Sequence, residues 1–196
     1  MSLILASSSP FRKAILDKLG LDFEVVAPEI NEDRRVNESP IDLVTRLSKE
    51  KAVAVAKSKT GLIIASDQVA TLDTGYKAND SVLTKPGSHE NAFLQLKKSS
   101  GKTVNFLTGL VLMNTKNLNT QVHIEHFKVS FKILSDNQIL NYLSKEDVLN
   151  CAGSFKSEGL GIALFTKMEG NDPNSLIGLP AIQLIDMLAK ENVHVL

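Results

Sequence analysis

The sequence predicts an α/β protein, a mixed twisted sheet flanked by helices. Three observations point that way. Apolar runs of strand length alternate with segments of helical period along the chain. Serine followed by proline stands twice where a helix should begin, at Ser9-Pro10 and Ser39-Pro40. Two long strand signals in the middle are joined by an Asn/Thr-rich stretch that suits a hairpin.

The elements follow in order. Leu3 to Ala6 is an apolar run that breaks into Ser7-Ser8-Ser9-Pro10, and a helix-period segment follows, ending at Gly20. Phe23 to Val26 reads as a strand, and residues 29–38 are charged and turn-like. A second helix covers about 41–57. Leu62 to Ala65 is a short buried strand leading into Ser66-Asp67-Gln68. Residues 73–87 form a polar loop that contains Thr84-Lys85-Pro86-Gly87. A third helix spans about 89–99. The hairpin strands are 103–113 and 123–133, and strict alternation of Phe127, Val129, Phe131 and Ile133 buries one face of the second. Ser135-Asp136 caps a helix to about Ser144. Residues 151–161 are a Gly-rich loop, 162–165 a strand and 171–174 a turn; a helix over 179–190 closes the chain.

The totals narrow the function. The 196 residues suffice for one large domain or two closely joined lobes. Lys+Arg equals Asp+Glu at 22 each, so no basic excess favours a nucleic-acid surface. Cys151 is the only cysteine, which excludes an intrachain disulfide and a cysteine-based zinc site. No run approaches the roughly 20 apolar residues of a membrane span. The first residues carry no charged n-region and too short an apolar run for a signal peptide. A soluble cytoplasmic protein is expected.

Several residues stand out for their placement. A helix N-terminus beside three hydroxyls favours an anion, yet Arg12 and Lys13 sit in that first turn, the wrong sign for the helix dipole. A bound polyanion would resolve the conflict; an ordinary capped helix with two solvated cations is the alternative. In the second helix Leu43, Val44, Leu47, Ala54 and Val55 share an arc of roughly 120°, and Lys51 falls inside it. That lysine either snorkels to the core edge or meets an anion at the rim of a cleft. Asp67 follows a buried run, a frequent place for an active-site carboxylate in α/β sheets and equally a turn-starting position. Lys85 is a further cation, in a turn where most lysines are merely solvated.

In order and spacing these pieces resemble the Maf family of nucleoside triphosphate pyrophosphatases. The likeness covers nearly all of residues 1–196, taken as one domain. It rests on LASSSPFRKAIL at 5–16, ESPIDLVTRLSKEKA at 38–52, SDQV at 66–69, TKP at 84–86, CAGSFKSEGLG at 151–161 and GLP at 178–180. The resemblance implies two lobes around a deep cleft. It also implies cleavage of a nucleotide between its α- and β-phosphates. Carried onto this chain, Ser7, Ser9, Arg12 and Lys13 would hold the triphosphate, with Lys51 and Lys85 neutralising its charge. Asp67 would be the general base. A divalent metal, magnesium by the chemistry of phosphoryl transfer, would bridge phosphate oxygens, with Glu32 as its carboxylate. The family often has Asp-Glu where this chain has Asn31-Glu32. The resemblance suggests a homodimer; the balanced charge and the lack of a long apolar run argue against a nucleic-acid or membrane partner.

Three positions look like the branch of that family that prefers 7-methyl-GTP: Phe11, Gln68 and Glu158. A 7-methylguanine base is cationic. An aromatic ring at Phe11 can stack on it for roughly 0.5–2 kcal/mol, and a carboxylate at Glu158 can accept from its N1–H and amino group. On the helix wheel Phe11 also lies with Ile15, so it reads equally as a core residue. Thymidine or uridine triphosphate remains an alternative substrate, and a nucleotide-binding regulator of cell division is an alternative of another class.

Overall fold

Leu3–Ala6, buried at all four positions, form strand β1, and the chain then turns through three serines into helix α1, Pro10–Asp17. The computed structural model describes residues 2–72, 76–77 and 81–196. Part of the polar loop expected at 73–87 therefore lies outside the described residues. The elements that follow are β2 (Glu24–Val26), α2 (Pro40–Ala56), β3 (Leu62–Thr71), β4 (Val82–Leu83), α3 (His89–Ser99), β5 (Thr103–Asn114), β6 (Thr120–Phe131), α4 (Asp136–Leu143), β7 (Phe165–Gly170), α5 (Pro173–Ile177) and α6 (Ala181–Lys190).

Helix starts follow one chemical rule. The Ser9, Ser39 and Ser88 hydroxyls each accept from the backbone N–H three residues on, which satisfies one of the donors a helix end leaves unpaired. At Ser135 the hydroxyl accepts the Gln138 N–H and the Gln138 side-chain oxygen accepts the Ser135 N–H in return, a capping box.

Among the described residues the strands form one mixed sheet, ordered β2-β1-β3-β5-β6-β7, with β4 paired to β3. β1 runs parallel to β2 and β3, and the other pairings are antiparallel. The two faces are read off β3 by alternation. Ile63 and Ala65 pack with Ala52 and Val55 of α2, and Val69 with Leu43, Val44 and Leu47 of the same helix. Leu62 and Ile64 pack on the other face with Leu16 of α1 and Leu184 and Leu188 of α6. Further along that second face, Ala70 packs with Leu96 of α3 and Ile139 of α4. The helices on the second face thus form two groups, and the polar residues Ser66 and Gln68 lie between them.

Four expectations need correction. The strand that begins at Leu62 does not stop at Ala65; it runs to Thr71 through Ser66-Asp67-Gln68, because each of those polar side chains finds a partner. Residues 160–164 form a 3₁₀ turn rather than a strand. A side chain at Gly161 would come within 2.2 Å of the Lys156 carbonyl, and the strand starts only at Phe165. The Asn-Asp-Pro turn opens α5, with Asp172 accepting from the Asn174 N–H. Ile133 lies past the end of β6 and is 87% exposed, so the burial of that face ends at Phe131.

Candidate active site

β1 ends at Ala6, opposite Ala65, while β3 continues for six more residues. Past Ala65, β3 has lost its parallel neighbour, and the serine turn leads the chain away from it. A cleft of about 440 Å³ opens there. Its wall includes the serine turn, Phe11, Arg12, Glu32, Lys51, Gln68, Lys85, Phe106, Asp147, Phe155 and Glu158.

Asp67 points to the α2 face of the sheet, where Lys51 meets it. The Lys51 ammonium lies 2.5 Å from Asp67 Oδ1 and 2.8 Å from Glu32 Oε1, so one cation joins two carboxylates. The side chains of Lys51 and Asp67 are only 7% and 10% exposed, while that of Glu32 is 54% exposed. Such a buried charge persists because it is paired. Asp67 itself is not among the residues that line the cleft; Lys51, which touches it, is. The close approach of α2 depends on Gly109, which pairs with Asp67 in β5: a Cβ there would sit 2.5 Å from Ser48 Oγ and 2.8 Å from the Val44 carbonyl.

Arg12 is held differently. Its Nε donates to the Gly178 carbonyl at 2.8 Å and its Nη1 to Ser7 Oγ at 3.4 Å, both neutral acceptors. Burial pulls its pKa down, and the charges of Asp67 and Glu32 act the other way. Gly178 closes α5 in the left-handed region at φ 118°, and Ser66 Oγ donates to the same carbonyl at 2.8 Å. Ser7 Oγ also accepts the Ser9 N–H at 3.1 Å. With its lone pairs so engaged, the Ser7 O–H is left to donate. Lys85 is exposed on the cleft wall. Among the described residues neither Arg12 nor Lys85 forms an ion pair. For Glu32, burial opposes ionisation, but the hydrogen bond from Lys51 and the charges of Lys51, Lys85 and Arg12 outweigh it and lower its pKa.

The structure brings together Ser7, Ser9, Phe11, Arg12, Glu32, Lys51, Gln68, Lys85 and Glu158 on one cleft, with Asp67 directly behind Lys51. Lys13 is not among them. Its ammonium pairs with Asp17 at 2.8 Å on the exposed side of α1 and lies 5.7 Å from the Phe23 ring centroid. Phe11 is part of the cleft wall and half-buried, not in the core. The Gln68 amide nitrogen donates to Thr108 Oγ1, the Ser175 carbonyl and the Leu176 carbonyl, at 3.0, 2.7 and 3.2 Å, so its orientation is fixed. Cys151 also lines the cleft, and burial raises its thiol to about 11, which disfavours the nucleophilic thiolate. Gly178, which aims Arg12, stands in the GLP motif at 178–180, but its contact with Arg12 could not be read from the sequence. The signal for its place in the chain was an Asp-Pro helix start at 172–173 followed by a glycine five residues after the proline.

An α/β sheet with a serine turn, a helix start and four cations, Arg12, Lys51, Lys85 and Lys156, on one cleft suits a phosphorylated or otherwise polyanionic small molecule. Residues 2–191 match the Maf-like protein family, and the chain belongs to it. Relatives include a protein of Alcanivorax borkumensis named 7-methyl-GTP pyrophosphatase, 52% identical over 98% of this chain and 95% of its own. A protein of the same name from Pseudoalteromonas atlantica is 51% identical over 100% of this chain and 97% of its own. Among solved structures, the Ham1 protein of Staphylococcus aureus shares the fold at a TM-score of 0.53 and 12% identity, covering 98% of this chain and 100% of that one.

Proposed function

We propose that this chain is a cytoplasmic nucleotide pyrophosphatase that hydrolyses 7-methyl-GTP to 7-methyl-GMP and pyrophosphate. The observation that carries the reading is the Lys51 ammonium, held between Asp67 and Glu32 at the edge of a cleft where, of the other cations, Arg12 and Lys85 have no ion-pair partner among the described residues and only Lys156 has one, Glu146 at 3.8 Å. The names of the relatives supply the substrate.

In this reading Arg12 and the O–H groups of Ser7 and Ser9 bind the phosphates, and Lys85 adds charge from the cleft wall. A bound phosphate draws Lys51 toward its oxygens and uncovers Asp67. The freed carboxylate takes a proton from water as the water oxygen bonds to phosphorus and the anhydride between the α- and β-phosphates breaks. Lys13, paired with Asp17 on the exposed side of α1, is not assigned to the phosphate site in this reading. Magnesium takes one or two carboxylates and completes its shell with phosphate oxygens and water. The convergence of Glu32 and Asp67 on one point suits that demand. Among the described residues no group of three or more metal-ligating side chains exists, so the nucleotide would supply the remaining ligands. The bound ion would offset charge on the phosphate oxygens.

For the base, Phe11 offers a ring to stack on a cationic purine, and Glu158 and Asp147 place negative charge on the cleft wall. Uracil and thymine present carbonyls where guanine presents N–H donors, so they meet Glu158 unfavourably.

The test is Asp67→Asn. Turnover should fall by about 10³-fold or more with nucleotide binding retained. Retained turnover would remove Asp67 as the base. Loss of binding together with turnover would make it a structural residue.

A further inference from the structure

A separate set of charges fastens the loop that carries Glu32 to α2. We propose that Arg46 and Glu38 are positioning residues for the reaction: they hold the backbone beside Glu32 so that its carboxylate meets Lys51. The inference rests on the pyrophosphatase reading.

The side chains of Glu38 and Arg46 are 7% and 12% exposed. Arg46 Nε donates to Glu38 Oε1 at 2.6 Å, and Nη2 donates to Oε2 at 2.9 Å. The same Nη2 donates to the carbonyl of Asp33, the residue after Glu32, at 2.9 Å. Nη1 donates to Glu50 Oε2 at 2.9 Å, and the other oxygen of Glu50 accepts from Arg35 Nη2, also at 2.9 Å. Glu38 in turn closes the loop. Its Oε2 accepts the Arg35 N–H at 3.0 Å, and its carbonyl accepts from Arg34 Nε at 2.8 Å and Nη2 at 2.6 Å. On the other side of Glu32, Asn31 Oδ1 accepts the Asp33 N–H at 2.8 Å.

The backbone around Glu32 is therefore fixed, whereas the Glu32 side chain is half-exposed and pairs with Lys51. α2 supplies both contacts: Arg46 grips the backbone and Lys51, on the same helix, meets the carboxylate. One rigid element thus sets the distance between the two. Four hydrogen bonds from Arg46 to a carboxylate, a carbonyl and a second carboxylate need the planar fork of a guanidinium, which a lysine lacks.

Arg46→Lys keeps the charge and removes the fork, and Glu38→Gln keeps the shape and removes the charge. For both variants kcat should fall by about tenfold or more, with KM for the nucleotide changed by less than about twofold. Placed in a Glu32→Gln background, Arg46→Lys should lower the residual rate no further, because effects that pass through one residue do not add. Amide exchange over residues 31–38 should speed up, with β3 and β5 unchanged. Losses that multiply in the double variant, a raised KM with unchanged kcat, or unchanged exchange over 31–38 would each overturn the proposal. If the unaltered protein releases no pyrophosphate from any nucleotide, the pyrophosphatase reading fails. The exchange measurement then decides the clamp alone: faster exchange confined to 31–38 supports it, and unchanged exchange overturns it. Should Arg46→Lys not fold, Glu38→Gln carries the same readings.

Discussion

One ammonium separates two carboxylates that would otherwise repel. At an effective dielectric near 20, two unit charges about 4 Å apart interact by about 4 kcal/mol, so the Lys51 site is sensitive to any new charge. A triphosphate brings several. Lys51 could be read from sequence as a cation on an apolar helix face, because helical period alone puts it beside Val44 and Leu47. The different fates of Arg12 and Lys13 could not be read: both stand in the first turn of α1, and Arg12 is held in the cleft by Ser7 Oγ and by the Gly178 carbonyl, 166 residues on. The specificity role proposed for Glu158 rests on charge. Glu158→Gln should lower kcat/KM for 7-methyl-GTP relative to UTP by about tenfold, roughly 1.4 kcal/mol of discrimination. Competitive turnover of the two nucleotides measures it, and an unchanged ratio would remove Glu158 from specificity.

At the scale of elements, β3 and α2 make the site. Gly109 lets α2 approach until Lys51 reaches Asp67. Gly109→Ala places a Cβ against the Val44 backbone, which cannot move as a side chain can. Stability should drop by about 1–3 kcal/mol, read by urea denaturation, and turnover should fall further than stability explains because Lys51 is displaced. Full activity at reduced stability would separate that contact from the site. The serine-capped helices and apolar strands were legible because caps and period are local signals. The continuation of β3 through Ser66-Asp67-Gln68 was not, since three consecutive polar residues read as a turn unless their partners are known. Two of those partners, the Gly178 and Ser175 carbonyls, lie more than a hundred residues away in sequence. α5 was hidden by its length of five residues, and β7 by its exposed, polar pattern on the sheet edge.

For the whole molecule, the Glu38–Arg46 pair links folding to pH. The hydrogen bond from Arg46 is the largest cause that holds the Glu38 carboxyl at about 2, against an ordinary 4.5. A carboxylate whose pKa is lower in the folded state adds stability above its unfolded value and loses it as pH falls toward the folded value. The contribution of Glu38 is therefore complete above about pH 4.5 and fades between there and about 2. Melting temperature followed from pH 7 to 2 should decline through that window, and Glu38→Gln should flatten the decline. Equal slopes for the two proteins would show that the pair is not the source. Elsewhere the fold sets cations and carboxylates on one cleft of a molecule with no net charge. No described helix is long and apolar enough to cross a membrane. The catalytic claim is tested most directly by pyrophosphate release in magnesium from 7-methyl-GTP, GTP, thymidine triphosphate and uridine triphosphate, side by side. Preferential release from 7-methyl-GTP is the predicted result; preference for a pyrimidine nucleotide, or no release from any of the four, would contradict it.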